Sequence, residues 1–383
     1  MALDLKTFSN KLVRYRNQFS ISLDDVSIST GIQKDRLVQL ENGIVEPSGD
    51  EILIIADYYK CDFNFFISNE KQTAFEKTEL LFRRYGTELS TNDRWAIQEC
   101  IFLAECENYL DGLYKRPHYQ IFNYVPQGKY YKAHGKEAAK ALRNLITLRA
   151  NELNLDIYSD FRKAGFLIYR RRLESSSISG VCIDYPDIGK IILVNYDEDI
   201  FRQRFTVSHE VGHAIFDNED GDIALSYRGK WDTKDLREIR ANVFAASFLI
   251  PDELLNSIPD NKNWNGEKLI DWAIKAKVNT VSLLIALENS GLIDRRQSQQ
   301  ISHYKVPLSS KIDPEFVNLS PEMVKRLSTL LEKGLTNKYL NKCLTAQRDG
   351  MISTSRMMEM LLVEQNEILE INSLFKLGLE NAY

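Results

Sequence analysis

The chain predicts a mainly helical, multidomain protein, on three observations. At 383 residues it is long enough for two or three domains with ample apolar core. Both ends read as short helices punctuated by Gly and Pro. Only the middle holds short apolar runs of strand type, Gly165-Phe-Leu-Ile168 and Ile191-Ile-Leu-Val-Asn195. The expected layout is a five-helix bundle over 1–69, a helical connector over 70–117, an α+β domain with a small sheet over 118–300, and a helical C-terminal domain over 301–383.

Composition narrows the class. With 44% hydrophobic and 27% charged residues the chain is ordinary for a globular protein, and a net charge of −5 gives no general attraction to nucleic acid. Cys61, Cys100, Cys106, Cys182 and Cys343 are scattered and odd in number, with no Cys-x-x-Cys pair. That pattern fits a reducing compartment, not a disulfide framework. Asp4 and Lys6 interrupt any leader-like apolar run, and no stretch nears the roughly 18 apolar residues of a membrane span. The expected location is the cytoplasm, with no membrane partner.

In order, Phe8, Leu12 and Tyr15 start the first helix, and Asp24–Gly31 is a second that ends on its glycine. Gln33–Gly43 is a third with Leu37 and Leu40 inward, and Ile52–Tyr58 follows Pro47 before Phe63, Phe65 and Phe66. The Gly31 turn, the Glu41-Asn42-Gly43 end and Pro47 resemble the XRE (repressor/Cro-like) helix-turn-helix family. That resemblance implies a third helix presenting Gln33, Lys34, Arg36 and Gln39 to a DNA groove. The copy departs from a good DNA reader: Leu23 stands where the family usually carries Gln, and Asp35 sits on the recognition helix. Residues 1–70 hold seven basic and eleven acidic side chains, a balance of −4, which works against phosphate contact. DNA binding and a protein-contact role stay open.

Beyond it, Thr91–Tyr114 reads as an amphipathic connector packed through Ile97, Ile101, Ala104 and Tyr109. Tyr119–Tyr131 is aromatic and irregular. A helix is expected over Ala138–Leu153, an acidic turn over Asp217–Asp222 and a surface loop over Tyr227–Asp232. Trp264–Ala273 and Val278–Leu292 are helices closing the central domain. After a linker over His303–Pro314, the tail predicts helices over Pro321–Lys333, Lys338–Arg348 and Thr354–Leu374, its methionines packed as core.

The chemistry concentrates in Arg202–Phe216, where His209-Glu210-x-x-His213 holds two of the five histidines. On a helix, positions i and i+4 share a face, so both imidazoles can aim at one point. Two such nitrogens suit tetrahedral Zn²⁺, and Glu210 beside them can take a proton from the water it activates. Phe205, Val207, Val211, Ala214 and Ile215 supply the apolar face, and Gly212 allows a neighbour to come close. A catalytic site needs a third protein ligand. The pattern with a third His six residues on, preceded by Gly, is excluded, because Glu219 and Phe216 hold those positions. The better candidate is Glu238, on a helix stopped by Pro251 whose strip of Ala241, Ala245 and Ala246 permits close helix approach. Asn242, one turn on, can accept the outer N–H of a ligand histidine.

Phe205-Thr206-x-x-His209-Glu210-x-x-His213, followed by Glu238-x-x-Ala241-Asn242-x-Phe244-Ala245-Ala246-x-x-Leu249-x-Pro251, resembles the ImmA/IrrE family of zinc metallopeptidases, over roughly 136–292. The resemblance implies a gluzincin-like domain whose members cleave a DNA-binding repressor, here one of XRE type encoded nearby, to switch on a stress, mobile-element or defence operon. It implies Glu210 as general base, with His209, His213 and Glu238 as the zinc ligands. Tyr227, Arg228 and His303 are candidates for steadying the oxyanion. The alternative is an XRE-type transcription regulator whose peptidase-like domain is a sensor. Cys106, or else Cys100, on the connector could block the zinc as a thiolate until signalled.

Overall fold

The computed structural model describes residues 3–69, 89–115, 121–128, 130–175, 177–185, 188–217, 224–227 (backbone alone), 235–316, 319–369 and 371. The first part of the expected connector, most of the acidic turn and surface loop after His213, and the last part of the tail lie outside these residues. Among the described residues no helix is long and apolar enough to cross a membrane.

Five helices open the chain: α1 Leu5–Phe19, α2 Leu23–Thr30, α3 Lys34–Glu41, α4 Gly49–Tyr58 and α5 Phe63–Ile67. They close on an aromatic core of Phe8, Tyr15, Phe19, Tyr59 and Phe66, joined by Leu12, Leu37 and Leu40. The fourth helix begins three residues before the predicted Ile52, because Ser48 and Glu51 form a reciprocal cap there. Gln33 caps α3 without a side-chain hydrogen bond.

The connector, α6 (Thr91–Leu113), is a buried spine, not a solvated link. Its N-terminal turn locks the bundle: Trp95 stacks on Phe19 with ring centres 4.0 Å apart, and Gln98 donates to Lys60 O at 2.9 Å. Ile97, Ile101 and Ala104 are buried as expected, but Tyr109 is 48% exposed. The inward strip at that level runs through Cys106, Glu107 and Leu110 instead.

A four-stranded sheet in the order β1-β3-β2-β4 divides the rest of the chain. Strands β1 (Leu167–Arg171) and β3 (Gly189–Asn195) are parallel, whereas β2 (Ile178–Tyr185) is antiparallel to both β3 and β4 (Ala224–Tyr227). Alternate residues of β3 enter different cores. Ile192 and Val194 join the first, with the zinc-motif helix; Ile191 and Leu193 join the second, with α6 and the tail. Burial of both faces explains why these strands read as continuous apolar runs. The strand β4 is not among the expected elements; it follows the expected acidic turn and takes in Tyr227, the first residue of the expected loop.

On the first face lie α7 (Tyr131–Leu145), α8 (Ile157–Lys163), α9 (Ile200–Phe216) and α10 (Leu236–Leu249). Helices α11 (Asp252–Ser257), α12 (Gly266–Ala276), α13 (Thr280–Asn289) and α14 (Arg295–Ile301) complete that side. The first of these starts and ends earlier than the predicted 138–153. On the second face, α15 (Pro321–Glu332), α16 (Asn337–Arg348) and α17 (Thr354–Met360) pack against α6 and β1. The last is shorter than predicted, since Leu362 follows it in the left-handed region at φ 53°.

Candidate metal centre

Helix α9 begins on Asp199, whose carboxylate accepts from Phe201 N and Arg202 N, and nearly all of it is buried. Its partner α10 comes unusually close. A Cβ on Gly212 would stand 3.0 Å from Ala241 Cα, so the glycine and the alanine strip let two backbones approach. Helix α7 fixes α10 from behind, because a Cβ on Gly135 would meet Arg240 O at 2.6 Å.

That approach brings three donors together: one ligand atom each from His209, His213 and Glu238, all within 4.8 Å of one another. The two Nε2 atoms are 2.9 Å apart; Glu238 oxygens lie 3.4 Å from His209 Nε2 and 3.2 Å from His213 Nε2. Ligands about 2.05 Å from a tetrahedral zinc stand roughly 3.3 Å from each other, so the donor set fits that ion. The outer nitrogens are also fixed. His209 Nδ1 is 3.0 Å from Asn242 Oδ1, and His213 Nδ1 is 2.7 Å from Asp217 Oδ2. With Nδ1–H donated outward, each Nε2 faces the common centre, where a proton or a metal ion can occupy it.

The electrostatics agree. Burial opposes charge on His213, but hydrogen bonds to Asp217 and Glu238 outweigh it and push the imidazole up to about 10. Burial likewise opposes charge on Glu238, yet hydrogen bonds from His209 and His213 hold its carboxyl far below the usual range. Both shifts mark a centre that favours positive charge.

Glu210 lies wholly buried between α9 and β2. Gly180 makes room for it: a Cβ there would stand 2.8 Å from Glu210 Oε1 and 2.8 Å from Thr206 Cγ2. Beside it, Glu198 accepts from Ser179 Oγ at 2.7 Å, Arg202 Nε at 2.7 Å and Thr206 Oγ1 at 3.3 Å. A cavity of about 640 Å³ opens at the C-terminal end of α9, lined by Asp217, Arg240, Phe216 and Tyr131 among others.

Asp217 was missed as a partner of the site and read only as the start of an acidic turn. Its signal was present, four residues after His213 and on the same helix face. Of the oxyanion candidates, Arg228 lies outside the described residues, and Tyr227 is described by its backbone, paired with Ile178. His303 is exposed, its ring tilted against that of Tyr304 with centres 4.2 Å apart.

The regulatory-thiol expectation is corrected. Cys100 and Cys106 are buried in the second core, with the sheet between them and the metal ligands. Burial pushes both thiols far up, the opposite of what an available thiolate needs.

On α3, Lys34 pairs with Asp24 at 2.8 Å, and Arg36 pairs with Glu51 at 2.7 Å while donating to Glu46 O. Gln33 and Gln39 are exposed. Both cations expected to face a DNA groove thus already have carboxylate partners.

Comparison with known proteins agrees with the motif reading. Residues 161–288 match the family model described as Peptidase_M78, IrrE N-terminal-like domain. The chain is similar to the radiation response metalloprotease IrrE of Deinococcus radiodurans, 35% identical over 100 residues, which is 25% of this chain and 30% of that protein. The protein of the same name from Deinococcus deserti is 34% identical over 100 residues, 25% of this chain and 35% of the relative. The chain therefore spans about a third of the length of these curated relatives. Together these matches support an ImmA/IrrE-type metallopeptidase domain in the central region.

Proposed function

We propose that this chain is a site-specific zinc endopeptidase that cleaves a DNA-binding repressor, of XRE type and encoded nearby. The observation that carries the reading is the convergence of His209, His213 and Glu238 beside a buried Glu210, within the segment that matches the IrrE-like family. His209, His213 and Glu238 hold the metal, and the donor set and the family likeness both favour zinc. When bound, zinc supplies Lewis acidity that lowers the pKa of water and polarises a carbonyl. Glu210 takes the proton of the attacking water and returns it to the leaving amine. Asn242 and Asp217 hold the two imidazoles in the ligating tautomer.

The N-terminal bundle serves as an XRE-type unit that contacts protein, and the peptidase unit spans 118–300. The rival reading, a DNA-binding regulator with a sensory peptidase fold, is weakened by the −4 balance of residues 1–70 and by the half-buried Arg36–Glu51 pair. The deciding experiment incubates wild type and Glu210→Gln with the candidate repressor. Cleavage by wild type alone supports the peptidase; no cleavage by either, with operator DNA bound by the full chain, supports the regulator.

A further inference from the structure

We infer that Asp217 and Arg240 are a pair of positioning residues acting in sequence: Arg240 fixes Asp217, and Asp217 fixes the ligand His213. The inference rests on the metallopeptidase reading and assigns roles to two residues that neither motif specifies.

The two ligand histidines have unlike supports. His209 leans on a neutral amide, Asn242, whereas His213 leans on a carboxylate. A carboxylate on the outer nitrogen fixes the tautomer and also makes the inner nitrogen a stronger ligand. Asp217 suits the task because its backbone is set as well: as the C-cap of α9 it donates its N–H to His213 O at 2.9 Å. Residue and imidazole therefore sit in a fixed ring.

A carboxylate this enclosed is costly without a counter-charge, its side chain being 11% exposed. Arg240 supplies that charge through Nη2 to the other oxygen, Oδ1. The two oxygens are thus divided, one to the ligand and one to the clamp. Arg240 is itself 8% exposed, and its guanidinium lies 4.3 Å from the Phe216 ring centre and 4.9 Å from that of Tyr131. Contact with two aromatic rings restrains the planar guanidinium in a way a lysine ammonium cannot reproduce.

Helix α10 consequently reaches the metal by three routes: Glu238 directly, Asn242 through His209, and Arg240 through Asp217 and His213. Gly135 matters here, because it lets α7 touch the backbone at Arg240 itself. The clamp is anchored by a helix on each side.

The test is zinc affinity by chelator competition, with the melting temperature of the metal-stripped protein recorded alongside. Asp217→Ala should weaken zinc binding by about 10–100-fold, and Arg240→Gln by a smaller factor. Arg240→Lys should recover part of the loss. In the double variant, Arg240→Gln should add almost nothing to Asp217→Ala, since its effect passes through that carboxylate. A purely structural pair would lower the melting temperature and leave zinc affinity unmoved, and that result overturns the inference, as does full additivity. If Asp217→Ala does not fold, Asp217→Asn replaces it, and wild-type affinity in that variant is equally fatal. His213→Ala separates the two failures. Full zinc binding in His213→Ala sinks the metal reading, whereas loss there with none in Asp217→Ala sinks only the positioning roles.

Discussion

Gly180→Ala is the sharpest probe of the proposed general base, because it moves Glu210 without touching any ligand. The glycine has no backbone need for its identity, as its φ lies outside the left-handed range, so the added methyl group is the whole perturbation. That methyl would stand 2.8 Å from Glu210 Oε1, 2.9 Å from its Cγ and 2.8 Å from Thr206 Cγ2. Ordinary contact begins near 3.4 Å, so the carboxylate or the strand must yield by about 0.6 Å. Misplacing a reacting group by about 1 Å can cost 10²-fold. A displacement of this size should therefore lower kcat/KM by about 10- to 10²-fold, or roughly 1.4–2.7 kcal/mol of barrier. Overpacking should also cost about 1–3 kcal/mol of stability. The assay is repressor cleavage under kcat/KM conditions, with zinc content and melting temperature measured on the same preparation. Wild-type kcat/KM in a variant that keeps its zinc would refute the argument that β2 holds Glu210 in its working position.

Glu210→Gln should keep one zinc per chain and the wild-type melting temperature yet lose cleavage; equal rates would remove Glu210 as base. Glu238→Ala should lose the metal, and elemental analysis finding full zinc would dismiss Glu238 as a ligand. Glu107→Gln should destabilise the chain by about 3–5 kcal/mol, because Arg162 would stay buried without its counter-charge and Lys342 would keep only Asp111. Burial opposes ionisation of Glu107, but Arg162 and Lys342 overcome it and hold its carboxyl at about 2, against 4.5 ordinarily. A depressed carboxyl contributes stability above its unfolded value, so the contribution should be full above about pH 4.5 and drain as pH falls toward 2. An unchanged acid limb of the melting profile in Glu107→Gln would count against it. Gel shifts with the full chain at physiological salt should show at most weak DNA binding, and sub-micromolar, sequence-dependent binding would restore the regulator reading.

The metal centre was legible because its grammar is local. A helix puts His209 and His213 on one face by spacing alone, and Gly212 with the alanine strip announced the close neighbour that delivers Glu238. Asn242 followed from one turn of helix. Asp217 carried the same four-residue signal but sat at the helix end, where a carboxylate also reads as a turn former. What sequence could not convey was which face of the sheet each helix would choose. The connector reads as amphipathic, with polar residues beside its packed face, yet Asp93, Arg94, Gln98 and Glu107 are all buried and engaged across long separations. Polar residues paired at distances of dozens of residues are indistinguishable, in one dimension, from solvated ones. Strand β4 was hidden for a related reason: four residues give too short an alternation to separate from loop.

The position of the sheet also decides how the ends of the chain can influence the site. Bundle, spine and tail are joined on one side: Trp95 and Gln98 tie the spine to the bundle, and Lys342 reaches Glu107 and Asp111 at 2.8 and 2.7 Å from the tail. The metal ligands stand on the other side, so neither end touches them through the spine's thiols. A connection across the sheet runs through Glu107. Arg162, on the site-side helix α8, donates to Glu107 at 3.0 Å and to Ile168 O on β1, while Tyr169 OH donates to Glu107 at 2.9 Å. Glu107 is therefore shared by the spine, the tail, the sheet and a helix packed against α9. A buried carboxylate with three partners, two of them cations, tolerates few arrangements, since moving Arg162 or Lys342 away removes charge that offsets its burial. Any rearrangement that moves the bundle or the tail must keep Glu107 satisfied or carry Arg162 with it, and Arg162 belongs to the layer that holds the zinc-motif helix.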